Sequence, residues 1–149
     1  MRRSGFTLIE TVVTLGLLAS MSVIAVYRFP STRPPADDET VFWQKYATLW
    51  QTRVFVASAY DHQQLVQFNS REVVFAPLKQ GGGPATVHLA LPATLHLANR
   101  HSTAEVRITK NGHPTLAAVY YQSTLRPKLL YKLSIKMGWG GYELEDVPA

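Results

Sequence analysis

The first 28 residues contain a long apolar run with one acidic residue inside it. Residues 6–26 span 21 positions, and after Glu10 no charged residue occurs before Arg28. In an α-helix these 21 residues extend about 31 Å at ~1.5 Å per residue, which is enough to cross the hydrocarbon core of a bilayer. We therefore expect residues 6–28 to form an apolar helix that resides in a membrane. Arg2 and Arg3 precede the run and favour a cytoplasmic N-terminus for a single-pass segment.

Glu10 distinguishes three interpretations of this segment. A secretory signal peptide would also begin with basic residues, but its apolar stretch would not contain an acid. A plain membrane anchor has a suitable length, yet it leaves a carboxylate in an apolar medium at a cost on the order of a few kcal/mol. The third interpretation is that the carboxylate has a positively charged partner and a function.

The stretch Gly5-Phe6-Thr7-Leu8-Ile9-Glu10 resembles the class III signal of type IV prepilins and of type II secretion pseudopilins. This resemblance implies that residues 1–5 are a leader, that prepilin peptidase cleaves between Gly5 and Phe6, and that Phe6 is then N-methylated. Glu10 would become the fifth residue of the mature chain and meet the terminal amine of a neighbouring filament subunit. Because each charge is costly alone in an apolar bundle, the pair would also set the stagger between subunits.

A proline-rich stretch separates the apolar run from a second helical pattern. Proline lacks the amide proton and clashes with the preceding turn, so we predict a break over residues 29–36. Three consecutive acids at 37–39 predict the start of a helix that continues to Tyr60. Apolar residues recur there at spacings of three and four, which predicts one buried stripe. The stripe comprises Phe42, Tyr46, Leu49, Trp50, Val54, Ala57 and Tyr60, broadened by Trp43, Phe55 and Val56.

Beyond residue 60 the hydrophobic period changes to two, as in β-strands. The predicted strands are 72–75, 86–91, 103–109, 115–122, 129–137 and 142–144. Turns are predicted at Asn111-Gly112 and at the glycine-rich stretches 81–84 and 138–141. The predicted fold is therefore α+β, with the helix of residues 37–60 on one antiparallel sheet of four to six strands, and residues 37–149 form its domain.

This order of elements resembles that of a pilin, and most closely that of the ComGD-type minor pseudopilins of Gram-positive competence machinery. The narrower resemblance rests on the N-terminal motif, the prolines after it, the segment 109–114 and the glycine-rich turn before residues 142–144. It implies a minor subunit of a competence type IV pilus, which moves from the cell membrane to the cell surface and supports DNA uptake during transformation. The implied partners are prepilin peptidase, sibling competence pilins, the pilus assembly machinery and the membrane. A pseudopilin of a type II secretion system and a membrane-anchored surface binding module are the alternatives.

No pattern for catalysis or for a cofactor is found in the sequence. The chain has no cysteine, and its five histidines do not pair at metal-ligand spacing. Residues 81–83 are followed by proline rather than by a Walker-type lysine, and no Gly-x-Ser-x-Gly elbow is present. We therefore expect neither a metal nor another cofactor, and we do not expect an enzyme.

Basic residues predominate between positions 100 and 136, where seven cations accompany one acid, Glu105. Alternation along the strand 129–137 places Lys132 and Lys136 on one face, and we expect Arg107 on the same side of the sheet. Such a face could contact DNA phosphates in a salt-dependent way. The alternative is a solvated sheet face without a partner. The formal net charge of +5 falls to +3 without Arg2 and Arg3, so the chain as a whole is only mildly basic.

Overall fold

The computed structural model describes residues 8–28, 34–78, 83–98, 104–138 and 140–149, with side chains described only to residue 22 in the first range. The chain divides into two compact units, Met1–Pro34 and Pro35–Ala149. The first unit contains helix α1, Leu8–Arg28. The apolar segment is thus helical over its described length. Within the described residues, no helix combines the length and hydropathy needed to span a membrane.

Helix α2 spans Pro35–Tyr60 and begins the second unit. It starts two residues before the predicted position, because proline at the first helical position has a suitable φ and needs no amide hydrogen bond. Of the break predicted over residues 29–36, residues 29–33 lie outside the described residues, Pro34 is not helical, and Pro35 and Ala36 belong to α2. The predicted end at Tyr60 is confirmed.

One face of α2 is buried, as the stripe predicts, with two polar additions. Its buried residues are Glu39, Phe42, Tyr46, Trp50, Arg53 and Ala57. Tyr60 and Phe55 are 64% and 62% exposed, so their assignment to the stripe is wrong. Phe55 lies five residues after Trp50, and at ~100° per residue this places it on the opposite side of the helix. Tyr60 is the last residue of the helix.

In the described residues, eight antiparallel strands form two four-stranded sheets. The first sheet has the order β3-β2-β1-β5 and the second has the order β4-β6-β7-β8. The bounds are β1 Gln64–Phe68, β2 Glu72–Pro77, β3 Val87–Ala90, β4 Leu95–Leu97, β5 Ala104–Ile108, β6 Ala117–Ser123, β7 Leu129–Ile135 and β8 Tyr142–Pro148. The α+β class is confirmed, whereas the prediction of a single sheet with four to six strands is wrong. Strands β1 and β4 were missed, because β1 carries two glutamines and β4 has only three residues.

A single core joins α2 to both sheets, and Tyr46 lies at its centre. The Tyr46 ring lies 6.3 Å from Phe68 and 5.8 Å from Phe75 of the first sheet, and 5.4 Å from Tyr142 of the second, between ring centroids. Val106, Ile108, Val119 and Leu133 complete the buried faces of the strands. Because one helix stripe contacts both sheets, the second unit has one hydrophobic core rather than two.

Two of the predicted glycine turns, at Gly112 and Gly140, lie close to α2, whereas residues 81 and 82 of the predicted turn 81–84 lie outside the described residues. Gly112, Gly138 and Gly140 have positive φ angles of 77°, 115° and 73°, which favour glycine. The Gly140 carbonyl accepts a hydrogen bond of 2.6 Å from Trp50 Nε1. A Cβ built on Gly140 would lie 2.5 Å from Cγ1 of Val54. Strand β7 ends at Ile135 rather than at the predicted residue 137, and Met137 is 77% exposed.

Candidate functional site

Of the residues with a predicted role at the N-terminus, the structure describes Glu10 but not the cleavage site. Gly5 and Phe6 lie outside the described residues, so cleavage between them and methylation of Phe6 remain predictions. Glu10 lies on α1 with its side chain exposed. Among the described residues, nothing donates a hydrogen bond to its carboxylate and no cation pairs with it.

The hydroxyl side chains of α1 are satisfied within the helix. Each donates a hydrogen bond to a carbonyl three or four residues earlier, over distances of 2.7 to 2.9 Å: Thr11 to Leu8, Thr14 to Glu10 and Thr11, Ser20 to Leu17, and Ser22 to Leu18. A hydroxyl bonded in this way needs no outside partner in apolar surroundings. Over residues 8–22, the Glu10 carboxylate is therefore the polar side chain that requires a group from elsewhere.

The rest of α1 presents a large apolar surface. Eight bulky side chains are between 55% and 83% exposed: Leu8, Ile9, Val12, Val13, Leu15, Leu17, Leu18 and Met21. They surround the helix rather than lining one stripe, since neighbouring residues such as Val12 and Val13 are both included. Contiguous exposed apolar surface of this size is typical of regions that contact other proteins or membranes.

The three candidate DNA-contact residues do not share a face. Arg107 belongs to β5 of the first sheet, Lys132 to β7 of the second, and Lys136 follows the end of β7. The expectation that Arg107 lies on the same side of one sheet is therefore wrong. The sequence pattern indicates alternation along a single strand, but it could not show that β5 and β7 belong to different sheets.

The two lysines and their neighbour Arg126 are matched by acids on β8. Lys132 Nζ lies 3.8 Å from Glu145, which is its direct partner in the β7–β8 register. Lys136 pairs with Glu143, and Arg126 lies 3.4 Å from Asp146. Glu143 raises the pKa of Lys136 through a hydrogen bond and its charge. The face of β7 and β8 that carries Lys132 and Glu145 therefore has alternating charges instead of a continuous cationic surface, which weakens the case for DNA contact there. Asp146, the partner of Arg126, lies opposite Tyr131 on the other face.

Two buried polar residues on α2 were not predicted as such. Glu39 accepts hydrogen bonds from Ser123 Oγ at 2.7 Å and from the Tyr131 hydroxyl at 3.3 Å. Arg53 donates to the Ala85 carbonyl at 2.6 Å and to Gln64 Oε1 at 3.2 Å, and burial lowers its pKa. Both residues lie at the spacing of three and four residues that defines the apolar stripe. That spacing is the sequence signal from which their burial could have been predicted. They attach the two ends of the stripe to the strands and loops beside it.

Two of the described histidines, His88 and His113, make local side-chain contacts. His88 Nδ1 lies 3.1 Å from Glu72, and His113 Nδ1 lies 3.0 Å from the Gly138 carbonyl, while His101 is outside the described residues. In the part of the chain that the structure describes, no three His, Cys, Asp or Glu side chains converge as metal ligands would. Comparison of the chain with protein-family models, curated proteins and solved structures gives no match.

Proposed function

We propose that this chain is a minor pilin of a competence type IV pilus, which assembles through α1 into a cell-surface filament that supports DNA uptake. Prepilin peptidase removes residues 1–5 and methylates Phe6, and the chain is held in the membrane until assembly. The second unit, with its α+β fold, is the part displayed on the filament. Its role is assembly rather than catalysis.

The observation that carries this proposal is the surface of α1. Covering eight bulky apolar side chains is worth on the order of 10 kcal/mol, at ~1.5–3 kcal/mol for each fully buried side chain. A membrane and a bundle of identical or related helices can both bury these side chains. A pilin helix lies first in the membrane and then in the helix bundle of the filament. The plain anchor explains the apolar surface equally well, but it does not explain Glu10.

Glu10 favours assembly over simple anchoring. Its carboxylate has no partner among the described residues, whereas the hydroxyls of the same helix are satisfied internally. A carboxylate that enters an apolar bundle needs an opposite charge, and the amine freed by cleavage before Phe6 is such a charge. That amine would come from a neighbouring subunit, so the pair forms only when chains are assembled in one register.

The assignment to a competence pilus rests on the resemblance to ComGD-type minor pseudopilins. The role in DNA uptake follows from that assignment. The test begins with mass spectrometry of filaments sheared from the producing cells. We expect a chain that starts at N-methylated Phe6, and we expect Gly5→Val to leave residues 1–5 attached. Retention of Arg2 and Arg3 in the surface protein would instead identify an anchored module.

A second measurement tests Glu10 separately. Glu10→Val should preserve membrane insertion and cleavage but reduce the subunit in sheared filaments, together with transformation, by about tenfold or more. Asp38→Val, an exposed acid on α2, is the matched control and should leave both unchanged. Normal assembly of Glu10→Val would contradict the proposal. Loss of protein secretion with intact transformation would identify a type II secretion pseudopilin.

A further inference from the structure

The second unit contains a cleft between two tight turns, where Ser70, Arg71 and His96 lie beside apolar residues. Its volume is about 400 Å³, and its lining residues are Ser70, Arg71, Leu91, Pro92, Ala93, Leu95 and His96. No carboxylate is among them. We propose that this cleft binds an oxyanion of the phosphate type, with Arg71 as its principal ligand. This inference does not rest on the proposed function.

The first turn connects β1 to β2 and has Ser70 and Arg71 at its tip. The Asn69 amide closes it by donating to the Glu72 carbonyl at 2.9 Å. Among the described backbone hydrogen bonds, the Ser70 and Arg71 amides donate to nothing. Free consecutive amides at a turn tip, next to a hydroxyl and a guanidinium, are the groups that bind anions in proteins.

The second turn precedes β4 and is closed by the Leu95 amide, which donates to the Pro92 carbonyl at 3.0 Å. The two turns are held together because the Leu91 amide donates to the Arg71 carbonyl at 2.8 Å. Leu95 is 1% exposed, whereas His96 next to it is exposed, as are Ser70 and Arg71. The backbone of Arg71 is thereby fixed while its side chain is exposed.

Arg71, like Arg107, has no acid beside its guanidinium among the described residues, in contrast to four other basic residues of the second unit. Lys110, Arg126, Lys132 and Lys136 each pair with a carboxylate. Within the described residues, the Arg71 guanidinium has neither a carboxylate nor another acceptor. The nearest acid in sequence, Glu72, is engaged by His88 at 3.1 Å. A guanidinium forms two parallel hydrogen bonds with a phosphate, so this free side chain suits such a ligand better than the paired cations do.

The experiment is a titration of the purified full chain with inorganic phosphate, followed by amide NMR shifts and calorimetry. We expect the largest shifts at Ser70, Arg71 and Ala93. Arg71→Ala should weaken binding by about tenfold or more, and Arg71→Lys should weaken it partly, because lysine keeps the charge but loses the two-pronged geometry. Arg107→Ala is the matched control, because Arg107 is also exposed and no acid pairs with its guanidinium among the described residues. This substitution should change the phosphate affinity less than about twofold. Equal unfolding midpoints for all variants would show that the fold is intact.

A short DNA duplex, titrated at two salt concentrations, distinguishes the sources of phosphate. Arg71-dependent, salt-sensitive binding of DNA would support a site for phosphodiesters, and binding of inorganic phosphate alone would support a site for free anions. The proposal is overturned if neither probe shifts the turn amides. It is also overturned if Arg107→Ala weakens binding more than Arg71→Ala does.

Discussion

Replacement of Gly140 by alanine should destabilise the second unit through two separable effects. The first is backbone strain, because Gly140 has φ of 73°, and a left-handed conformation costs a residue with a Cβ about 1–2 kcal/mol. The second is a clash, because the new Cβ would lie 2.5 Å from Val54 Cγ1 on α2, and overpacking of this kind costs about 1–3 kcal/mol. The expected total for Gly140→Ala is therefore about 3 kcal/mol.

Neighbouring glycines in the same turn provide controls for each effect. Gly138 has φ of 115° but nothing within 4 Å of a built Cβ, so Gly138→Ala should show strain alone. Gly141 has neither a positive φ nor a close neighbour, and Gly141→Ala should change the stability by less than about 0.5 kcal/mol. Combining Gly140→Ala with Val54→Ala removes the clashing methyl groups and should give a favourable coupling of about 1–2 kcal/mol.

The assay is equilibrium urea unfolding of the full chain, followed by tryptophan fluorescence, because Trp50 is buried against this turn. A loss of about 3 kcal/mol would lower the thermal midpoint by roughly 10 °C in a unit of this size. Equal midpoints for Gly140→Ala and Gly141→Ala would refute the close approach of the turn to α2. A coupling near zero with Val54→Ala would refute the steric part and leave only the backbone strain.

Two further substitutions test the buried polar groups of the core. Glu39→Ala should lower the free energy of unfolding in urea by about 2–4 kcal/mol, because the Ser123 and Tyr131 hydroxyls lose their acceptor. Asp38→Ala, on the exposed side of α2, should change it little, and equal losses for the two variants would contradict the hydrogen bonds of Glu39. Burial, followed by the charges of Tyr121 and Tyr142, raises the pKa of Tyr46 well above its usual value. Above about pH 10 the unfolded chain loses the Tyr46 proton, whereas the folded state keeps it. The contribution of Tyr46 to the free energy of unfolding is therefore fully present below about pH 10 and declines above it by up to ~1.4 kcal/mol per pH unit. Tyr46→Phe should make this alkaline decline shallower and be nearly neutral at pH 7, because the Tyr46 hydroxyl has no partner among the described residues; an unchanged slope would argue against its burial.

The local patterns of the sequence predict most elements but not their arrangement. The spacing of Phe42, Tyr46, Trp50 and Ala57 correctly gives the buried face of α2, and the glycines at 112 and 138–141 correctly give two turns. Strand β1 was missed because Gln64 and Gln67 conceal its alternation. Gln64 is nevertheless fully buried, since Arg53 donates a hydrogen bond to its side chain, and that contact joins residues 11 positions apart.

Long-range pairing also determines the charge of the candidate surfaces. Lys132 and Lys136 form a basic pattern in sequence, but β8 lies beside β7 and places Glu145 and Glu143 next to them. The cleft around Arg71 could not be predicted, because its two turns are more than 20 residues apart and meet through one backbone hydrogen bond. In contrast, the Glu10 hypothesis depends on adjacent residues alone, and the structure adds that its carboxylate has no partner among the described residues.

The polar contacts at both ends of the α2 stripe have a mechanical consequence. Glu39 is bound to Ser123 and Tyr131 on the second sheet, whereas Arg53 is bound to Gln64 and Ala85 beside the first. A force along the axis of α2 would therefore load these contacts in shear at the same time, rather than peel them apart one by one. Sliding the helix by one turn would break both sets and drive Trp50 out of its position against Gly140, so the second unit should resist tension along this axis better than its small size suggests.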